Sequence, residues 1–196
     1  MPLTDFHSPL DLRLFEAINR GRGHLLDTVM QALSTRGFGV AFGLLACALV
    51  VAALRRGAVR PMVALAVAVF SSDFVGSHLV RPLFGRMRPC YALPPGTFRW
   101  LAPAANAPSL PSLHASNMFA LALVVSLAKP RLAPLAYLAA IAVSLSRVYV
   151  GVHWPTDVLA GAAWGTLSGA IGWGLAAIVV RRPPAAAPSA DRSPPR

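Results

Sequence analysis

Charge is scarce in this chain: Asp, Glu, Lys and Arg make up 13% of its 196 residues, and only 7 residues are acidic. A soluble globular domain carries about a quarter charged residues, so a water-exposed globule is excluded. Cysteine is scarcer still. Cys47 and Cys90 are too few for a disulfide framework or a thiolate metal site, and one falls inside an apolar run and the other in a polar loop, an awkward pair to bridge. The shortage of acids leaves 18 Lys and Arg with a net charge of +11. An excess of that size suits nucleic acid, an anionic membrane surface or an anionic substrate. What the chain has in abundance is apolar residues, 56% of the total at a mean hydropathy of +0.58. They are gathered in long runs instead of being interleaved with the basic residues, which sets nucleic acid aside and marks a membrane protein.

A bilayer core about 30 Å thick needs roughly 20 apolar residues in helix to cross it. Five stretches meet or approach that length: 37–54, 61–80, 112–128, 132–150 and 158–180. The expected fold is therefore all-α, a polytopic membrane bundle of five helices. Residues 1–36 alternate charged residues with Leu10, Leu12, Leu14, Phe15 and Ile18 and then Leu25, Leu26, Val29, Met30 and Leu33. That spacing predicts two short amphipathic interfacial helices broken at Gly21 and Gly23. No apolar core of signal-peptide type stands among these residues, so the segment is expected to be retained. The organisation read from the sequence is thus an N-terminal interfacial segment over 1–36, a transmembrane domain over 37–182 and a Pro- and Ala-rich disordered tail over 183–196.

Short basic loops orient a membrane chain with their Lys and Arg on the cytoplasmic side. Arg55, Arg56 and Arg60, then Lys129 and Arg131, then Arg181 and Arg182 alternate correctly and fall on one face. The N-terminal helices, the 81–111 loop and the 151–157 turn share the other, external face, and the expected location is the plasma membrane with that face outside the cytoplasm. Arg81, Arg86, Arg88, Arg99 and Arg147 gather there although the orientation rule disfavours them. With them come Ser112, His114, His153 and Asp157, each near a helix end at the same depth. Ionisable groups at membrane depth are functional candidates. Guanidinium forks bind phosphate oxygens, and a helix N-terminus adds backbone N–H donors. A neutral imidazole is a nucleophile toward phosphorus, a carboxylate at its other nitrogen fixes its tautomer, and a second imidazole can protonate a leaving oxygen. His153 with Asp157 four residues later suits the first pair, and His114 is available as the acid.

These residues resemble the three signature motifs of the type 2 phosphatidic acid phosphatase superfamily, which includes vanadium haloperoxidases. The family's Lys-x6-Arg-Pro stands here as Arg81, Arg88 and Pro89. Pro-Ser-Gly-His stands as Pro111, Ser112, Leu113 and His114, and Ser-Arg-x5-His-x3-Asp is intact as Ser146, Arg147, His153 and Asp157. The resemblance implies that His153 becomes a phosphohistidine, Asp157 orients it and His114 protonates the leaving group. Arg81, Arg88, Ser112, Leu113 through its N–H, and Arg147 would hold the phosphoryl oxygens, with no metal and no cofactor. Arg81 keeps the charge of the family's lysine on a longer, planar donor. Leu113 replaces a glycine and is expected in ordinary helix-start backbone, since it opens a helix.

The short chain, the N-terminal Phe15, Ile18, Asn19 and Asp27, the run Arg86 to Pro89 and the stretch Pro111 to Phe119 resemble most the small bacterial undecaprenyl-diphosphate phosphatases. The implied partners are a lipid phosphate or diphosphate and the surrounding membrane lipids, with no nucleic acid, and nothing in the sequence sets an oligomeric state. Phosphatidic acid, phosphatidylglycerophosphate and a polyprenyl-phosphosugar phosphate are alternative substrates; a non-catalytic lipid-phosphate binder or transporter and a haloperoxidase are alternatives of other kinds. Outside the motifs, Arg86 and Arg99 read as solvated loop charges. Asp73 reads as a bundle residue or a support for an arginine, and Tyr149 and Trp154 as interfacial anchors. The small face Gly161, Gly165, Gly169 and Gly172 reads as close helix packing.

Overall fold

The computed structural model describes residues 3–180; the 183–196 tail lies outside the described residues. Pro9–Asn19 forms α1, opened by Ser8, whose hydroxyl accepts the Asp11 N–H at 3.0 Å, with Pro9 in the first turn where its missing N–H costs nothing. His24–Leu33 forms α2. Thr35 caps α3, Arg36–Leu54, by accepting the Phe38 N–H at 3.1 Å. The next helix runs without a break over Val59–Phe84. Within it α4, Val59–Phe70, passes into a π-wound stretch, Ser71–Val80, and then into α5, Arg81–Phe84. Gly85, at φ 57°, ends it in the left-handed conformation that glycine adopts at least cost. A short α6, Pro89–Ala92, and a long loop lead to α7, Leu113–Ala128; then come α8, Ala133–Tyr149, and α9, Pro155–Val179. No strand forms among the described residues.

Four helices are long and apolar enough to cross a bilayer: Arg36–Leu54, Val59–Phe84, Pro130–Tyr149 and Pro155–Val179. The fifth, α7, has 16 residues and rises only about 24 Å. It is instead the centre of the bundle. Ala115, Ser116, Met118, Ala120, Leu121, Ala122, Val124 and Val125 are buried, with α9, α8 and α4 packed around it. The peripheral α3 presents Val40, Leu44, Leu45 and Leu49 outward.

The close approach of α9 to α7 follows from composition. A Cβ added to Gly165 would lie 2.0 Å from the Ser116 carbonyl oxygen, so no other residue fits without moving a backbone. Contact this close is how membrane helices associate, since lipid offers no hydrophobic incentive for doing so. A chain of polar contacts joins α7 to the π-wound stretch: Ser72 Oγ meets Ser116 Oγ at 2.6 Å and donates to Asn117 Oδ1 at 2.7 Å, while Asn117 Nδ2 donates to Asp73 Oδ1 at 3.0 Å. Asp73 is exposed and pairs with α7 through Asn117. Both cysteines are free.

Helices α1 and α2 lie across one end of the bundle. Phe15 is fully buried and stacks obliquely on Trp154 at 5.4 Å, within a cluster that includes Ala115, Val148 and Val158. Tyr149 and Trp154 are consequently buried, at 3% and 0% exposure, and neither reaches an interface as the sequence reading expected. Leu12, Phe15 and Ile18 of α1 and Leu26 and Met30 of α2 pack over them instead.

Candidate active site

The end of the bundle covered by α1 and α2 is where the motif residues meet. Arg81 stands in the last turn of the second membrane helix, and its Nε donates to the Pro111 carbonyl at 3.0 Å. Arg88 precedes α6, donating from Nε to Ala107 O at 3.2 Å and from Nη1 to Val152 O at 3.0 Å. Ser112 is the N-cap residue of α7, and its N–H is fastened to Asp157 O at 2.9 Å, which binds the starts of α7 and α9 together. Leu113 opens α7, ahead of the first helical bond from Ser116 N to Ser112 O. Its N–H belongs to the first turn, where helix donors have no partner within the helix. Arg55 is the one non-glycine residue with positive φ among those described, so Leu113 holds ordinary backbone and keeps the donor. His114 follows it, half-buried. Arg147, in the last turn of α8, is 7% exposed, and its Nη1 donates to Ser34 O at 2.6 Å and to the Ser34 hydroxyl.

His153 lies in the Val150–Trp154 connection between α8 and α9 and is 1% exposed. Its two nitrogens face different chemistry. Nδ1 is 3.3 Å from Asp157 Oδ2, and Nε2 accepts from Arg88 Nη1 at 2.9 Å. Asp157 is in the first turn of α9 and also accepts the Trp154 N–H at 2.9 Å, so the helix start fixes its carboxylate. With Nδ1–H directed at the carboxylate, Nε2 keeps its lone pair toward the arginines. Burial, and then the charges of Arg88, Arg147, Arg81 and His114, hold His153 well below its ordinary value of 6.5, so at neutral pH it is an uncharged imidazole. Of these, Arg88 bonds to it directly. Ser112 Oγ and Arg147 Nε are buried without a partner among the described residues. Unpaired buried donors are costly, and a guanidinium is a donor suited to the oxygens of an anion.

Contrary to expectation Arg86 does not face solvent, whereas Arg99, 30% exposed, does so in part. Arg86 is 3% exposed and is bonded to both Asp11 and Asp157. Arg99 binds Asp27, which also accepts from the Tyr149 hydroxyl at 2.6 Å. In each case one partner comes from α1 or α2, more than seventy positions away, where no local signal could announce it. Asn19 adds a third tie, donating to Tyr149 O at 2.8 Å and to Arg99 O at 2.9 Å and accepting the Arg99 N–H at 2.7 Å.

The profile of the PAP2 superfamily matches residues 61–181. An undecaprenyl-diphosphatase of Sulfolobus acidocaldarius is 30% identical over 155 residues, 77% of this chain and 71% of that protein. A lipid A 4'-phosphatase of Bacteroides thetaiotaomicron is 34% identical over 115 residues, 55% of this chain, and the match spans about half of that relative's length, 50%. Among solved structures, Aquifex aeolicus LpxE superposes with a TM-score of 0.72 at 27% identity, covering 89% of this chain and 99% of that one. The first transmembrane PAP2 type phosphatidylglycerolphosphate phosphatase from Bacillus subtilis has the same fold, with a TM-score of 0.61 at 24% identity over 89% of this chain and 90% of that one.

Proposed function

Because the chain belongs to the PAP2 superfamily, we propose that it releases the terminal phosphate of a membrane lipid phosphate or diphosphate, undecaprenyl diphosphate foremost, through a phosphohistidine at His153. The observation that supports this is a buried neutral imidazole that accepts from Arg88, with Asp157 at its other nitrogen and the charges of Arg147 and Arg81 acting on it. In the first step Nε2 of His153 attacks phosphorus, the bond to the lipid oxygen breaks, and His114 gives that oxygen its proton. Asp157 accepts from Nδ1 throughout and balances the positive charge that forms on the ring. In the second step His114 takes a proton from water, the water oxygen bonds to phosphorus, and the P–N bond breaks to restore His153 and release phosphate. Arg81, Arg88 and Arg147 supply the fixed positive charge that a loose phosphoryl-transfer transition state requires, which makes a metal unnecessary.

Undecaprenyl diphosphate stands first because the archaeal relative of that name covers more of this chain than the Bacteroides protein does. The lipid A 4'-phosphatase likeness favours a second reading, a phosphate carried on a sugar headgroup. Protein purified in detergent and supplied with EDTA should release phosphate from one or more of undecaprenyl diphosphate, lipid A, phosphatidic acid, phosphatidylglycerophosphate and a polyprenyl-phosphosugar phosphate, with undecaprenyl diphosphate fastest. Phosphate binding without turnover on any lipid would instead describe a binder or transporter. Bromide oxidation on addition of vanadate would describe a haloperoxidase.

The site is further proposed to face outward from the plasma membrane, on the strength of Arg55, Arg60, Lys129 and Arg131 at the opposite end. Pro95, exposed in the long loop, tests this better than Gly96, whose φ of 86° disfavours a side chain. A Pro95→Cys chain in intact cells should react with an impermeant maleimide. Labelling only after the cells are opened would place the site on the inner side.

A further inference from the structure

Arg86 has a geometry that the phosphatase reading leaves unused. It donates from Nε to Phe6 O at 2.9 Å, from Nη1 to Thr156 Oγ1 at 2.6 Å and Asp157 Oδ1 at 2.8 Å, and from Nη2 to Asp11 Oδ2. Four of the five N–H donors of a guanidinium are thereby engaged, so Arg86 offers no open fork to a phosphate. The rings of Phe6 and Trp154 lie 5.3 and 5.5 Å from its Cζ. Asp11 is itself 2% exposed and accepts the Thr156 N–H at 3.0 Å and the Thr156 hydroxyl at 2.6 Å. The two oxygens of Asp157 are thus divided: Oδ2 serves His153 and the Trp154 N–H, while Oδ1 serves Arg86.

We infer that Asp11 and Arg86 are positioning residues for the catalytic pair, with the carboxylate of α1 aligning the guanidinium and the guanidinium setting the rotation and charge of Asp157 behind His153. This rests on the assignment of His153 as the nucleophile and extends the catalytic machinery to an N-terminal helix outside the residues 61–181 that the family profile matches. One guanidinium held between two carboxylates fixes the rotation of each and offsets its charge. Without Arg86 the Oδ1 atom of Asp157 loses its partner, the carboxylate is free to turn away from Nδ1 of His153, and the chemical step slows while the phosphate-binding arginines are untouched.

The test compares wild type, Arg86→Gln and Asp11→Asn for steady-state phosphate release and for competitive inhibition by inorganic phosphate. For Arg86→Gln, kcat should fall about 10- to 100-fold, the range typical of residues that orient a ligand or base from behind. For Asp11→Asn, a near-isosteric change that leaves an acceptor for the Thr156 N–H, kcat should fall about tenfold. In both, KM and the inhibition constant of inorganic phosphate should stay within about threefold of wild type, a split that general loss of structure would not produce. Should Arg86→Gln fail to fold, Asp11→Asn carries the test alone. An unchanged kcat beside an active wild type overturns the inference, as does a raised inhibition constant with kcat retained, which would make Arg86 a phosphate ligand. A wild type inactive on every lipid overturns the proposed function instead.

Discussion

His153→Ala is expected to abolish phosphate release, by at least about 10⁴-fold in kcat, because a covalent path has no substitute for its nucleophile. The side chain is buried, yet the alteration should leave the bundle intact. His153 lies in the connection after α8, outside the α7, α8 and α9 packing that forms the principal apolar cluster. The protein should therefore elute from a sizing column in detergent as wild type does and still bind inorganic phosphate through Arg81, Arg88 and Arg147. Asp157→Asn should cost about 10³- to 10⁴-fold, since an amide at Oδ2 can present a donor to Nδ1 and turn the imidazole to the wrong tautomer. Rapid quenching of wild type with radiolabelled lipid should trap a phosphoryl label on protein that survives alkali and is lost in acid, as a phosphoramidate bond is. The label should be absent from His153→Ala. A variant that kept more than a hundredth of wild-type turnover, by the about 10⁴-fold standard above, would remove His153 from the mechanism.

The largest structural effect is expected at Gly165. A β-carbon there would stand 2.0 Å from the Ser116 carbonyl oxygen and 2.7 Å from its carbon, and neither belongs to a flexible side chain. Gly165→Val must therefore separate α9 from α7, the most extensive contact in the molecule, and it carries with it the Ser72 to Ser116 hydrogen bond. Overpacking of a core typically costs about 1–3 kcal/mol and here should exceed that range. The chain should fail to give monodisperse protein in detergent, or unfold at a much lower temperature. Gly174 on the same helix is the control, with nothing within 4 Å of an added Cβ, so Gly174→Val should be close to neutral. Similar behaviour of the two variants would mean that the α7 to α9 approach does not support the bundle.

The helical bundle and the motif residues were legible in the sequence because both depend on neighbours close along the chain. Apolar runs reveal helices, and Arg81, Ser112, His114, Arg147, His153 and Asp157 stand at the ends of those runs, so a bundle of alternating direction brings them to one level. The π winding of Ser71–Val80 was not legible, because hydrophobicity constrains where a helix goes and not how tightly it is wound. Arg86 was misread for a different reason. Two positions before Arg88 in a loop, it looks like any solvated arginine, and only the arrival of Asp11 and Asp157 on either side gives a charged group a reason to be buried. Tyr149 and Trp154 were misplaced by the same omission. Aromatic residues at helix ends usually meet the headgroups, but here α1 and α2 come between.

The hydrogen bonds from Thr156 to Asp11 join positions 145 apart in the chain. Each of these bonds closes a loop that takes in almost the whole bundle, so Asp11 can meet Thr156 only when every helix between them is in place. A chain cut between the two positions leaves Asp11 with Arg86 alone. The contact between α1 and α9 is thus a record of the finished fold, and its loss would report a disturbance anywhere in between.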